Sequence, residues 1–174
     1  MRAMSMATLA SAWCAESPED AARWADSRLS DYEGGEIVYS LVEVWGEQDP
    51  VAASKWVMTL NEEHQTDAAA TLISVWGASQ PEVAAEWVSR FPSGDTRSNE
   101  IPALAEYWAE SEPVKAMEWS LSLPDSDEKN EAVEAAISVW GYNSPAQMSE
   151  WLAKRAPGPE TDQLRKLAEE YAGE

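Results

Sequence analysis

The stretch VWGEQDPVAASKW, residues 44–56, decides the fold, because its skeleton recurs along the chain. It returns as AWCAESPEDAARW (12–24), VWGASQPEVAAEW (75–87), YWAESEPVKAMEW (107–119) and VWGYNSPAQMSEW (139–151). Each copy holds two tryptophans 11 residues apart, and successive copies lie 31 or 32 residues apart. All ten tryptophans are used in this way, against a single phenylalanine in the whole chain. Five residues after each first Trp stands a proline: Pro18, Pro50, Pro81, Pro113 and Pro145. Three residues further on come Ala21, Ala53, Ala84 and Ala116, with Met148 in the last copy. A fixed period of this size is the mark of stacked supersecondary units.

Each unit reads as two helices. Apolar residues stand seven, four and three positions before the first Trp, as in Val38, Leu41 and Val42, in Ile101, Leu104 and Ala105, or in Val133, Ala136 and Ile137. That is one continuous helical stripe. Gly46, Gly77 and Gly141 directly follow their tryptophans and predict a left-handed stop there. The proline opens the second helix, where its missing N–H costs nothing. Ser17, Asp49 and Ser144 before it are good caps, Gln80 and Glu112 poorer ones. Ala and Trp three and six residues after the proline, and usually Leu or Phe ten after it, form the second stripe. Pro92, Pro124 and Pro157 mark its end. NEEHQT (61–66) and PSGDTRSN (92–99) read as polar connectors, and Pro102 as a first-turn proline.

The expectation is all-α: a right-handed αα-hairpin solenoid of about five 31–32-residue repeats with a C-terminal capping helix. The repeats fall at 1–29, 30–60, 61–92, 93–124 and 125–157 of one domain spanning 1–174. The cap is 160–172, with Leu164, Leu167 and Ala168 on its stripe and Tyr171 in the place of a Trp. Helices this short are marginal alone, so each must bury its stripe on neighbours. A buried indole removes on the order of 200 Å² from water, about 4–5 kcal/mol before ordering entropy is set against it. All ten rings are expected between neighbouring hairpins.

In period, hairpin plan and paired aromatic and small positions, the chain resembles the tetratricopeptide-like α-solenoids. Its WG-x-x-x-P-x-x-A-x-x-W pattern is similar to tryptophan-rich repeats of large bacterial proteins. The likeness covers residues 5–172. It departs from the tetratricopeptide standard, whose period is 34 residues and whose small and aromatic positions are spaced differently. No binding residue therefore carries over one for one. The resemblance implies an interaction scaffold, one that can be a segment of a longer chain.

Composition bounds the function. The net charge of -20 argues against direct binding to nucleic-acid phosphate or an anionic membrane, and favours a partner of basic character. The single Cys14 excludes an intramolecular disulfide framework. Residues 1–17 do not read as a secretion signal: Arg2 is their only basic flank, Trp13 is too large for a lipoprotein cleavage site, and Trp13 sits in the repeat register. With no run of about 18 apolar residues, a cytoplasmic location is expected.

Residues that could do chemistry are few. His64 falls in a connector and is expected solvated. Cys14, without a nearby His, reads as a structural thiol. DSDEKNE (125–131) lacks the glycine of a calcium loop, and Ala136 stands where that loop needs a bidentate Glu. No cofactor or metal is expected, and no enzymatic activity. The tryptophans read as core, not as an aromatic cage for sugar or methylated amine.

A candidate interaction surface does stand out. Positions five and two before the first Trp are outward-facing and mostly small: Ser40 and Glu43, Thr71 and Ser74, Ala103 and Glu106, Ala135 and Ser138. Second helices carry charge instead, as at Glu19, Asp20, Lys55, Glu86 and Glu150. First helices are thus expected to line a concave face and to meet a peptide or protein. An acidic mimic that blocks a nucleic-acid-binding protein, and a passive spacer within a larger protein, are the alternatives. The expected state is a monomer or weak self-association, the latter through Lys154, Arg155, Arg165 and Lys166 near the end.

Overall fold

The structure, a computed structural model, describes residues 5–171; Arg2 and Ala172, which entered the expectations above, lie outside that range. Among the described residues there are eleven α-helices and no strand. They are α1 (Met6–Glu16), α2 (Pro18–Asp26), α3 (Gly34–Gln48), α4 (Pro50–Val57), α5 (Glu62–Ser79), α6 (Pro81–Val88), α7 (Asp95–Ser111), α8 (Pro113–Ser122), α9 (Asp127–Asn143), α10 (Pro145–Lys154) and α11 (Pro159–Tyr171). The chain forms two compact units, one up to Thr96 and one from Arg97 on.

In the first unit α1, α3 and α5 lie side by side, α2 and α4 each pack on the two odd-numbered helices flanking them in sequence, and α6 packs on α5. In the second unit α9 is flanked by α8 and α11, with α10 against both α9 and α11. The stripes are the core. Val38, Leu41, Val42, Ile101, Leu104, Ala105, Val133, Ala136 and Ile137 are all buried, as are the small residues after the prolines, from Ala21 to Met148.

One backbone device makes every corner. The carbonyl of the first Trp accepts the N–H of the residue four later, Ser17, Asp49, Gln80, Glu112 or Ser144, at 2.8–2.9 Å. That residue's own carbonyl accepts the N–H of the buried Ala or Met four further on, at 3.0–3.1 Å. Proline between them has no N–H to continue the first helix and pushes the residue before it out of the α region. The corner is therefore one residue long, with φ from -133° to -152°.

The stop comes from the proline, not from the glycines. Gly46, Gly77 and Gly141 lie inside α3, α5 and α9, and the one described residue with positive φ is Gly94. The predicted left-handed stop is therefore incorrect. Gly46 and Gly141 serve close approach. A Cβ on Gly46 would stand 3.0 Å from Leu72 Cδ1 of α5, and one on Gly141 would meet Met148 and Tyr171. Cys14 and Ala109 occupy the same position in α1 and α7, both buried. In α1, α3 and α9 the small residue after the Trp lets the next odd-numbered helix come near.

Other expectations need correction too. NEEHQT is no connector: Asn61 caps α5 by accepting the His64 N–H, and 62–66 are helical. The second connector becomes helix at Asp95, which puts Pro102 well inside α7 instead of in its first turn. Of the caps before the prolines, only the Asp49 side chain accepts a backbone N–H, that of Ala52; Ser17 and Ser144 make no such bond.

The tryptophans are not all sequestered. Trp45, Trp56, Trp76, Trp87, Trp108 and Trp140 are buried; Trp24, Trp119 and Trp151 are half-buried, and Trp13 is 41% exposed. The rings also pair within a copy. The two rings of each copy face one another across their own corner, with centroids 5.2–6.2 Å apart and tilted by 33–56°. The residue four after the second Trp adds a cover. Phe91 meets Trp87 edge-on, whereas Arg28 and Arg155 lay guanidinium groups over Trp24 and Trp151.

Two predictions follow from this packing. Gly46→Val should lower stability by about 1–3 kcal/mol through overpacking, while Gly35→Ala, whose Cβ meets nothing within 4 Å, should raise it by up to about 1 kcal/mol; urea unfolding of both variants checks the contrast. The buried Trp56 indole N–H donates to Asp26 at 3.0 Å, whereas that of Trp87 has no partner and Met58 holds the position equivalent to Asp26. Met58→Asp should therefore gain about 1 kcal/mol in the same measurement.

Candidate functional site

The candidate surface residues are all accessible. Ser40, Thr71, Ala103, Ala135 and Ser138 are half-buried, and Glu43, Ser74 and Glu106 are exposed. Packing of α3 on α5 brings Ser40 and Glu43 onto the helix next to Thr71 and Ser74. Ala103 and Glu106 on α7, and Ala135 and Ser138 on α9, belong to the second unit. Helical spacing of three puts each pair on one side of its helix.

Two hydroxyls of this face are turned inward. Thr71 Oγ1 donates to the Asp67 carbonyl at 2.9 Å, and Ser74 Oγ to the Thr71 carbonyl at 2.7 Å. Their donors are thus committed to the helix. The charged residues expected on second helices, Glu19, Asp20, Lys55, Glu86 and Glu150 among them, are exposed. Val51, Met58 and Val83 are exposed beside them.

Deeper features lie nearer the starts of the odd-numbered helices, where the sequence had suggested connectors. A cavity of about 220 Å³ lies between α3 and α5, lined by Gly35, Val38, Tyr39, His64, Asp67 and Ala68. Another of about 270 Å³ lies between α9 and α11, with Val133, Glu134, Glu160 and Leu164 in its wall. Of these residues the sequence marked only Val38, Val133 and Leu164, as stripe positions; the polar ones beside them lie in or near helix starts that carry no apolar signature.

His64 is the clearest displacement from expectation. It is buried, and its Nε2 lies 2.8 Å from the Leu29 carbonyl. A carbonyl can only accept, so Nε2 carries the proton there and the ring ties α5 to the turn after α2. This work is structural, and the expected solvation is wrong. Cys14 is fully buried, with Sγ donating to the Leu41 carbonyl at 3.6 Å. Burial, with a smaller push from Glu19, drives its thiol from 9.0 up to about 11. A thiol so protonated is a poor nucleophile. On the 125–131 segment, the hydrogen bond from Lys129 Nζ at 2.9 Å holds the Asp125 carboxyl below its usual range. No helix among the described residues is long and apolar enough to cross a membrane.

Searches of family models, of curated proteins and of solved structures each return no match to this chain.

The shifted thiol carries a prediction. The unfolded chain ionises Cys14 near 9.0, the folded one near 11, so the native state binds the extra proton between these values. Stability should fall as pH rises from 9 to 11, more steeply than in Cys14→Ala, when unfolding is followed at each pH. Equal slopes for the two proteins would mean that the thiol is not held neutral.

Proposed function

We propose that the chain is a helical-repeat interaction scaffold: a right-handed αα-hairpin solenoid whose first helices, the odd-numbered ones, line a concave face for a peptide or protein segment of basic character. The observation that carries this is the face of α3 and α5. Its outward residues are small or acidic, two of its hydroxyls are satisfied internally, and it remains accessible. Such a surface lets another backbone come close without stripping water from unpaired donors. The charge supports a basic partner. With 32 acidic side chains against 12 Lys and Arg, most carboxylates have no internal cation to pair with and project a negative field.

Catalysis has little support in comparison. The one histidine is spent on a backbone carbonyl and the one thiol is buried and protonated. Binding, not turnover, is what these side chains suit.

The test is a double substitution, Ser40→Arg with Ser74→Arg, which places two bulky cations on the proposed face. Affinity capture from the native cell with the unaltered protein should retain a partner that the double variant loses, at unchanged far-ultraviolet helicity. Equal retention by both would remove these residues from any interface.

A further inference from the structure

Three cavities sit at one register of the repeat. Each is lined by the residue ten before the Trp of an odd-numbered helix, Gly35, Thr66 or Asn130. Each also includes the residue twelve before the corresponding Trp or Tyr171 of the next odd-numbered helix, His64, Thr96 or Pro159. Two lie within the first unit, between α3 and α5 and between α5 and the segment 91–96; the third lies between α9 and α11 in the second. Their volumes are about 220, 310 and 270 Å³.

Their walls share a chemistry as well as a place. Each has a buried apolar floor: Val38 and Ala68 in the first, Phe91 in the second, Val133 and Leu164 in the third. Each has exposed carboxylates at its edge: Asp67, then Glu62 and Asp95, then Glu134 and Glu160. A long aliphatic stem ending in a cation matches both parts, since lysine and arginine bury their methylenes and keep the charge in water. The third cleft already shows this arrangement internally. Lys129 lies in its wall with its side chain only 18% exposed and its ammonium 2.9 Å from Asp125.

We propose that these clefts take basic side chains of extended peptide, one residue to a cleft, with the two clefts of the first unit served by one peptide. The two clefts of the first unit lie on opposite sides of α5, a helix being about 10–12 Å across with its side chains, and a polyproline-type chain advances about 9 Å in three residues. Neighbouring clefts of the first unit therefore receive residues i and i+3. This assignment rests on the scaffold reading above and adds to it the chemistry and spacing of the partner.

The probe is a fluorescein-labelled peptide with lysine at every third position among alanines, compared with one of the same composition whose lysines are adjacent. Fluorescence anisotropy at fixed salt reads the binding. The spaced peptide should bind more tightly. Gly35→Phe places a ring at the α3–α5 cleft at no change of charge, a Cβ there meets nothing within 4 Å, and unchanged far-ultraviolet helicity checks that the variant folds. It and Asp67→Lys should each weaken the spaced peptide roughly tenfold, while Glu86→Lys on α6 changes it by less than about twofold. Equal binding of the two peptides, or an equal loss with Glu86→Lys, overturns the proposal in favour of diffuse charge attraction. If Ser40→Arg with Ser74→Arg abolishes binding while Gly35→Phe does not, the clefts are refuted and the scaffold stands. If no variant alters binding, both fall.

Discussion

The fold depends on the bond between each first Trp carbonyl and the N–H of the residue just before proline. Proline alone would break a helix; proline preceded by a residue still bonded to the helix behind it makes a sharp corner of defined length. The second helix must then run back along the first, and the fixed offset of 11 residues carries one indole across from the other. Since the corner is a backbone device, it tolerates Ser, Asp, Gln or Glu at its one free position. It does not tolerate loss of the proline, whose missing N–H is what ends the first helix.

The work of cohesion is consequently divided. Within a corner, paired indoles supply large apolar area. Between α1 and α3 and between α3 and α5, contact runs through the small residue after one Trp and the leucine four before the next, as where Cys14 meets Leu41 and Gly46 meets Leu72. The fates of the indole N–H groups show which term dominates. Those of Trp56, Trp108 and Trp140 find Asp26, Glu112 and Gln147, three different partners, while those of Trp76 and Trp87 find none. An orphaned donor costs about 1–3 kcal/mol, less than the roughly 4–5 kcal/mol that burying the ring supplies. Ring placement is repeated and the polar handle is left to vary.

That hierarchy explains what could be read in advance. Proline, tryptophan and stripe positions follow from period alone, and they gave the helices, their order and their buried faces. The glycines misled because glycine after a helical residue commonly ends a helix, and sequence cannot say that the true stop lies four residues later. NEEHQT misled for a related reason. A polar first turn capped by Asn61 carries no apolar signature, so helix and loop look alike until something docks on it. What docks is His64, on a turn 35 residues away in sequence. The surface positions around Ser40 and Ser74 were legible because they are set by the Trp register. The clefts were not, because they are framed by those hidden helix starts.

The excess of carboxylates bears on function more than on stability. The ion pairs seen are mostly local, between residues three or four apart and largely exposed, as at Arg23–Asp20 and Arg165–Asp162. Such pairs contribute about 0–1 kcal/mol each, and a net charge of -20 works against compactness by self-repulsion. The corners and stripes hold the structure in spite of that charge. That charge opposes folding and includes carboxylates at the edges of the three clefts, where the proposed basic partner would meet it. Neutralisation by a basic segment would relieve the repulsion and fill the clefts in one step, so binding and stabilisation are expected to rise together.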